Sequence, residues 1–109
     1  MATTYKVLGQ VHPTLNTLTT AYTVPASTQT VVSTITICNL GAGPSTFRIA
    51  VRPAGAAIDN KHYIYSDAVV APQDTQTLTL GITLGATDVV SVYSGSGKLS
   101  FNLFGSEIA

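Results

Sequence analysis

The sequence predicts an all-β fold: a single-domain antiparallel β-sandwich of about eight strands, either jelly-roll or immunoglobulin-like. Three observations carry this reading. Apolar residues recur at every second position almost throughout, the period of a strand whose successive side chains point to opposite faces. Helical spacing is nowhere sustained, and the abundant β-branched Thr, Val and Ile favour a pleated surface. Clusters of Pro and Gly break the chain at roughly 8–12-residue intervals, the spacing of a sandwich of short strands. The 109 residues are one domain's length, and about 65% of the unfolded surface of such a chain is buried on folding, enough for one modest core.

The strands are expected near residues 5–11, 19–24, 30–39, 46–52, 62–68, 75–82, 88–94 and 98–104. The clearest is Thr46-Phe47-Arg48-Ile49-Ala50-Val51-Arg52, where Phe47, Ile49 and Val51 share one face. Leu99, Phe101 and Leu103 repeat the pattern, as do Leu78, Leu80 and Ile82 between threonines, and Ile35 and Ile37 before Cys38. The expected inner layer is Phe47, Ile49, Val51, Leu78, Leu80, Ile82, Val90, Val92, Leu99, Phe101 and Leu103. Between strands lie His12-Pro13, Pro25-Ala26-Ser27, Leu40-Gly41-Ala42-Gly43-Pro44, Pro53-Ala54-Gly55, Pro72-Gln73-Asp74, Gly85-Ala86-Thr87-Asp88 and Gly95-Ser96-Gly97. Pro fixes φ and Gly supplies positive φ, so these are turns, and every Pro falls between strands as ladder hydrogen bonding requires. Gly95-Ser96-Gly97 is expected to close a tight hairpin between the last two strands. Segments 2–5 and 107–109 are expected to be either strands or short terminal arms, candidates for pairing with a neighbouring chain.

Composition excludes several function classes. Charged residues make up 9% of the chain, where about 25% is usual, and the formal net charge is zero. A nucleic-acid binder needs basic charge to displace counterions from phosphate, so no nucleic-acid partner is expected. The 45% hydrophobic content argues against disorder. No apolar run approaches the roughly 20 residues of a membrane helix, and no export signal opens the chain, so synthesis in a cytoplasm and no membrane partner are expected. Thr and Ser take most of the polar positions that charge fills in a free monomer, a surface suited to packing against neighbours in an assembly.

Chemical motifs are weak throughout. Gly95-Ser96-Gly97-Lys98 lacks the upstream Gly and the following Ser or Thr of a phosphate loop: Val92 and Leu99 stand there. Leu40-Gly41-Ala42-Gly43-Pro44 lacks the third Gly of a dinucleotide fingerprint. Asp59 and His62 are three residues apart, but no pair of ligands has transition-metal spacing. No nucleophile elbow occurs. Cys38 is the only cysteine and reads as a small packed side chain. The chain is therefore expected to be no enzyme, with no catalytic, cofactor-binding or metal-binding residue. Four residues stand out as a protein interface. Tyr63 and Tyr65 are expected on one face of their strand, either as an amphipathic contact patch or with their rings covering the end of the core, and Arg48 and Arg52 on the outer face of theirs, either solvated or paired with a carboxylate, or as interface cations.

Several segments carry a resemblance. Leu18-Thr19-Thr20-Ala21-Tyr22-Thr23-Val24-Pro25-Ala26, then Val31-Val32-Ser33-Thr34-Ile35 and Cys38-Asn39, then Thr46-Phe47-Arg48-Ile49-Ala50-Val51 resemble small virion proteins of tailed bacteriophages. Leu80-Gly81-Ile82-Thr83-Leu84-Gly85-Ala86-Thr87-Asp88 and the ending Phe101-Asn102-Leu103-Phe104-Gly105-Ser106-Glu107-Ile108 are similar to versions from marine phages, including those of cyanobacteria. The motifs are structural, so no active-site residue is carried over. In this chain Leu18 is separated from Tyr22, which family members place side by side.

The resemblance implies a virion structural component whose partners are other virion proteins. It is either a capsid decoration (cement) protein seated on the major capsid protein, or a tail, neck or fibre accessory. A closed homo-oligomer, such as a trimer, suits both placements. A third reading, from a different class, is a carbohydrate-binding module contacting the host surface. With no Trp, it would need several of Tyr5, Tyr22, Tyr63, Tyr65 and Tyr93 in one groove.

Overall fold

The computed structural model describes residues 2–109. Its strands are β1 (Thr3–Val11), β2 (Thr19–Thr23), β3 (Gln29–Asn39), β4 (Ser45–Arg52), β5 (Tyr63–Val70), β6 (Thr75–Leu84), β7 (Val89–Ser94) and β8 (Leu99–Ile108). Each lies where the alternating pattern predicts it, within a few residues at either end. Two 3-10 turns, Pro53–Gly55 and Asn60–His62, sit in the connection between β4 and β5.

The strands form two four-stranded antiparallel sheets packed as a sandwich, with orders β1-β8-β3-β6 and β2-β7-β4-β5. Only β4 and β5 are neighbours in both sequence and space. An immunoglobulin-like sandwich pairs its first two strands within one sheet. Here β1 pairs with β8 and β2 with β7, the order of an eight-stranded jelly roll.

That topology corrects two expectations. β7 and β8 belong to different sheets, so Gly95-Ser96-Gly97 carries the chain between layers and closes no hairpin. The turn chemistry is real, with Gly97 at φ 69°, but a tight turn and a tight crossover use the same residues. The ends of the chain are also not free arms. Ala2 and Ala109 exchange backbone hydrogen bonds of 2.9 and 3.0 Å, and the ladder continues from Thr3 opposite Ile108. Each end satisfies the other's backbone groups, which a free arm would leave to solvent or to a neighbour.

The core lies between the sheets, and Phe47 is its hub. The Phe47 ring meets Phe101 of the opposite sheet edge-on at 6.3 Å and Tyr65 of β5 at 5.7 Å. Ile35, Ile37, Ile49, Val90, Val92, Leu99 and Leu103 complete a fully buried layer. Of the expected inner residues, Val51, Leu78 and Ile82 are partly buried against this layer, and Leu80 leaves it at 36% exposure. The cause is an irregularity where Leu80 and Gly81 together face the single Ser33 of β3, with Gly81 at φ 64°.

Further bulges shape the sandwich. Leu8 is the extra residue of β1 opposite β8, Ala21 that of β2 opposite β7, and Ser33 that of β3 opposite β8. Two glycines sit where strands come closest. A Cβ on Gly9 would overlap the carbonyl oxygen of Ala21, where β1 of one sheet meets β2 of the other. A Cβ on Gly105 would overlap the carbonyl oxygen of Val31 beside the β3 bulge.

Candidate functional site and interaction surfaces

Arg48 lies on the outer face of the β2-β7-β4-β5 sheet, between the buried Phe47 and Ile49. Its Nε donates to Asp67 Oδ1 at 2.8 Å and its Nη2 to Asp67 Oδ2 at 3.3 Å, a two-pronged pair across β4 and β5. The guanidinium carbon stands 4.5 Å from the centre of the Tyr93 ring and 5.9 Å from that of Tyr63. Tyr93 Oη in turn donates to Asn16 Oδ1 at 2.7 Å. The hydrogen bond that Arg48 donates to Asp67 is the chief reason that the Arg48 pKa is raised. Both partners remain in contact with water, with side-chain exposures of 33% and 53%, so the pair contributes little to stability. What it does is hold a planar cation in one orientation against two aromatic rings.

The other interface candidates are placed differently. Ile64 is an extra residue in β5, so Tyr65 faces Ile49 and Tyr63 faces Ala50. One bulge thus reverses the strand's parity. Tyr65 packs into the core against Phe47, Tyr63 joins Arg48 on the outer surface, and Ile64 is left 45% exposed. The expectation that both tyrosines share a face is therefore corrected. Alternation cannot foresee the register slip. Arg52 is engaged structurally: its Nε donates to Ser91 Oγ at 3.2 Å and its Nη1 to the carbonyl of Ala56 at 3.1 Å, fastening the β4–β5 connection across the sheet.

A second surface escaped the sequence reading. On the outer face of the β1-β8-β3-β6 sheet, Tyr5 is 84% exposed and Val7 47% exposed, with Val7 directly opposite Phe104 of β8. Beside them runs a shallow groove of about 340 Å³ lined by Tyr5, Lys6, Ser33, Phe104, Gly105 and Ser106. The available signal was Tyr5 and Val7 on either side of Lys6: two bulky apolar residues on the face opposite a charge in the first strand.

The remaining motifs have local structural roles. Each amide of the Gly95-to-Lys98 loop meets a partner within the fold: Gly95 the carbonyl of Thr46, Ser96 and Gly97 the hydroxyl of Ser94, Lys98 that of Ser96. Asp59 accepts from the amide of Asn60, and His62 Nδ1 accepts from the amide of Asp59 at 3.0 Å, so the two residues cap a 3-10 turn. Among the described residues no three His, Cys, Asp or Glu side chains converge as metal ligands would. Cys38 is half-buried between Ile37 and Asn39. No helix among the described residues is long and apolar enough to cross a membrane.

Compared with models of known protein families and with curated proteins, the chain matches none.

Proposed function

We propose that this protein acts by binding and not by catalysis, as a structural component of a tailed-phage virion. Its most favoured placement is as a decoration protein that seats on the capsid shell and stabilises it. The observation that carries the reading is the outer face bearing Tyr5, Val7 and Phe104, an apolar patch on a chain with no net charge. Burying that patch on a larger partner removes apolar surface from water at about 25 cal/mol per Å². Binding specific to the assembled shell favours the shell by mass action. The resemblance of the segments around Tyr22, Asn39 and Phe104 to phage virion proteins supports the same reading, and jelly rolls are used in viral capsids.

The geometry weighs against a glycan platform built from the tyrosines. Tyr22 and Tyr65 are drawn into or against the core, and the Arg48 guanidinium lies over Tyr63 and Tyr93. Tyr5 stands apart from these on the other sheet.

The deciding experiment is quantitative mass spectrometry of purified particles with heads separated from tails. Hundreds of copies tracking the heads support decoration, and heads lacking the protein then open at lower temperature. A few copies tracking the tails move it to a tail, neck or fibre role. Absence from the particle overturns both. Tyr5→Ser with Val7→Ser tests the patch: the variant protein should fold as before and fail to bind heads stripped of it.

A further inference from the structure

Four strand edges bound the two sheets, and they are not alike. β2 is five residues long and bulged at Ala21. β5 is bulged at Ile64 and carries Asp67 at φ 54°. β1 carries Lys6 and is bulged at Leu8. Short length, charge and bulges are the devices that keep an edge from pairing with another chain. The fourth edge has fewer of them. β6 runs for ten residues, TQTLTLGITL, with no charged residue and no proline. Its only irregularity is at Leu80 and Gly81, and Thr75 to Thr79 keep an unbroken register with β3. In a strand paired on one side only, alternate backbone amides and carbonyls face outward unsatisfied.

We infer that the β6 edge pairs with the β6 edge of a second copy of this chain, antiparallel about a two-fold axis at Thr77, joining two four-stranded sheets into one of eight strands. A second copy fits because the segment is self-complementary. Centred on Thr77, the regular stretch places Thr75 opposite Thr79, Thr77 opposite itself and Gln76 opposite Leu78. The outer face already carries Thr77 opposite Thr36 and Thr79 opposite Thr34, so the second copy prolongs a threonine ladder of a kind that stabilises cross-strand pairing. With no net charge on the chain, no long-range repulsion opposes the approach of like copies.

Five paired residues bury less than the roughly 1,200 Å² of a stable complex. The free dimer is therefore weak and concentration-dependent, and becomes effective where a surface holds many copies close together. The contact sets the homo-oligomer on a two-fold axis in place of a ring of three. It uses a different part of the molecule from the Tyr5 surface and stands or falls independently of the virion reading.

The test uses the purified protein alone, with no virion component. Sedimentation velocity should show wild-type protein moving from monomer to dimer between about 10 µM and about 1 mM. Thr77→Lys should weaken this association at least tenfold with an unchanged circular dichroism spectrum and melting temperature. In a Cys38→Ser background, Thr77→Cys should form a disulfide dimer under mild oxidation at least ten times faster than Ser66→Cys on the β5 edge. Opposed residues of antiparallel strands lie about 4.5–5.5 Å apart at Cα, within disulfide reach. Wild-type protein that stays monomeric at the highest concentration overturns the inference. So does association that Thr77→Lys leaves intact, or equal cross-linking at the two cysteine positions.

Discussion

The hydroxyl of Tyr22 on β2 donates to Glu107 Oε2 on β8 at 2.5 Å, joining the two sheets through a hydrogen bond to a carboxylate. Thr30 Oγ1 lies 2.8 Å from the same hydroxyl and Lys6 Nζ 3.3 Å from Glu107 Oε1. The network sits at one end of the sandwich, where Tyr22 is only 8% exposed. Its titration is predictable. The Tyr22 hydrogen bond, against the opposing effect of burial, holds the Glu107 carboxyl below its ordinary value, with help from Lys6. A carboxyl depressed in the folded state contributes stability above its unfolded pKa of about 4.3, lost as pH falls through the lower folded value. The urea midpoint should therefore drop below about pH 4, and Glu107→Gln should flatten that part of the profile.

Tyr22 supplies the alkaline half. Burial first, then the Glu107 carboxylate, push its pKa up to about 12. A phenol raised in the folded state contributes fully below its unfolded pKa of about 10 and loses that contribution as pH climbs through the folded value. Spectrophotometric titration should show one tyrosine ionising late, and Tyr22→Phe should abolish that step. The same substitution should cost about 1.5–3 kcal/mol at neutral pH, the range for a hydrogen bond to a charged group.

Asn39 organises the opposite corner. It is 1% exposed, and its Nδ2 lies within 2.9–3.2 Å of the carbonyls of Gly43, Val70 and Ala71, while its Oδ1 accepts from the Gly41 amide at 2.9 Å. One amide thus ties the β3–β4 loop to the end of β5. Asn39→Ala leaves these backbone groups unpaired and should destabilise by about 2–4 kcal/mol. Asn39→Asp should be at least as damaging, because a carboxylate then faces three carbonyl oxygens. Denaturant unfolding of both variants provides the check.

The two close approaches give a further prediction. Gly105→Ala sets a methyl group against the Val31 carbonyl, and Gly9→Ala sets one against that of Ala21. Backbone cannot yield as a flexible side chain does, so each should cost about 3 kcal/mol. Gly43→Ala, with open space around the added carbon, should be close to neutral in the same melting experiments.

These residues show where sequence reading succeeds and stops. All eight strands are visible because alternation and turn chemistry are local properties. Phe47, Ile49 and Leu103 were assignable to the core for the same reason. Sheet order is set by which strands meet across the whole chain, so nothing in Gly95-Ser96-Gly97 distinguishes a hairpin from a crossover. Bulges are equally silent. Leu80 lies outside the inner layer expected for it, and Tyr63 and Tyr65 fall on opposite faces, because one extra residue shifts which face a side chain occupies. Gly9 and Gly105 carry no signal of their own in the sequence, because the carbonyls that they must admit belong to other strands.

Tyr63 and Tyr65 make the parity shift testable. Tyr65 lies against Phe47 at 5.7 Å with the core behind it, whereas Tyr63 sits outside beside Arg48. Truncating a core aromatic removes buried area and leaves a cavity, at about 3–5 kcal/mol when burial is complete. Tyr65 is only half-buried, so Tyr65→Ala should cost about 2–3 kcal/mol. Tyr63→Ala should shift the melting temperature little, because it strips one ring from an exposed cation that keeps Tyr93 and Asp67. Were alternation unbroken through β5, the two substitutions would have similar costs. A clear gap between their unfolding midpoints is the signature of the bulge at Ile64, and equal midpoints would place both rings on one face after all.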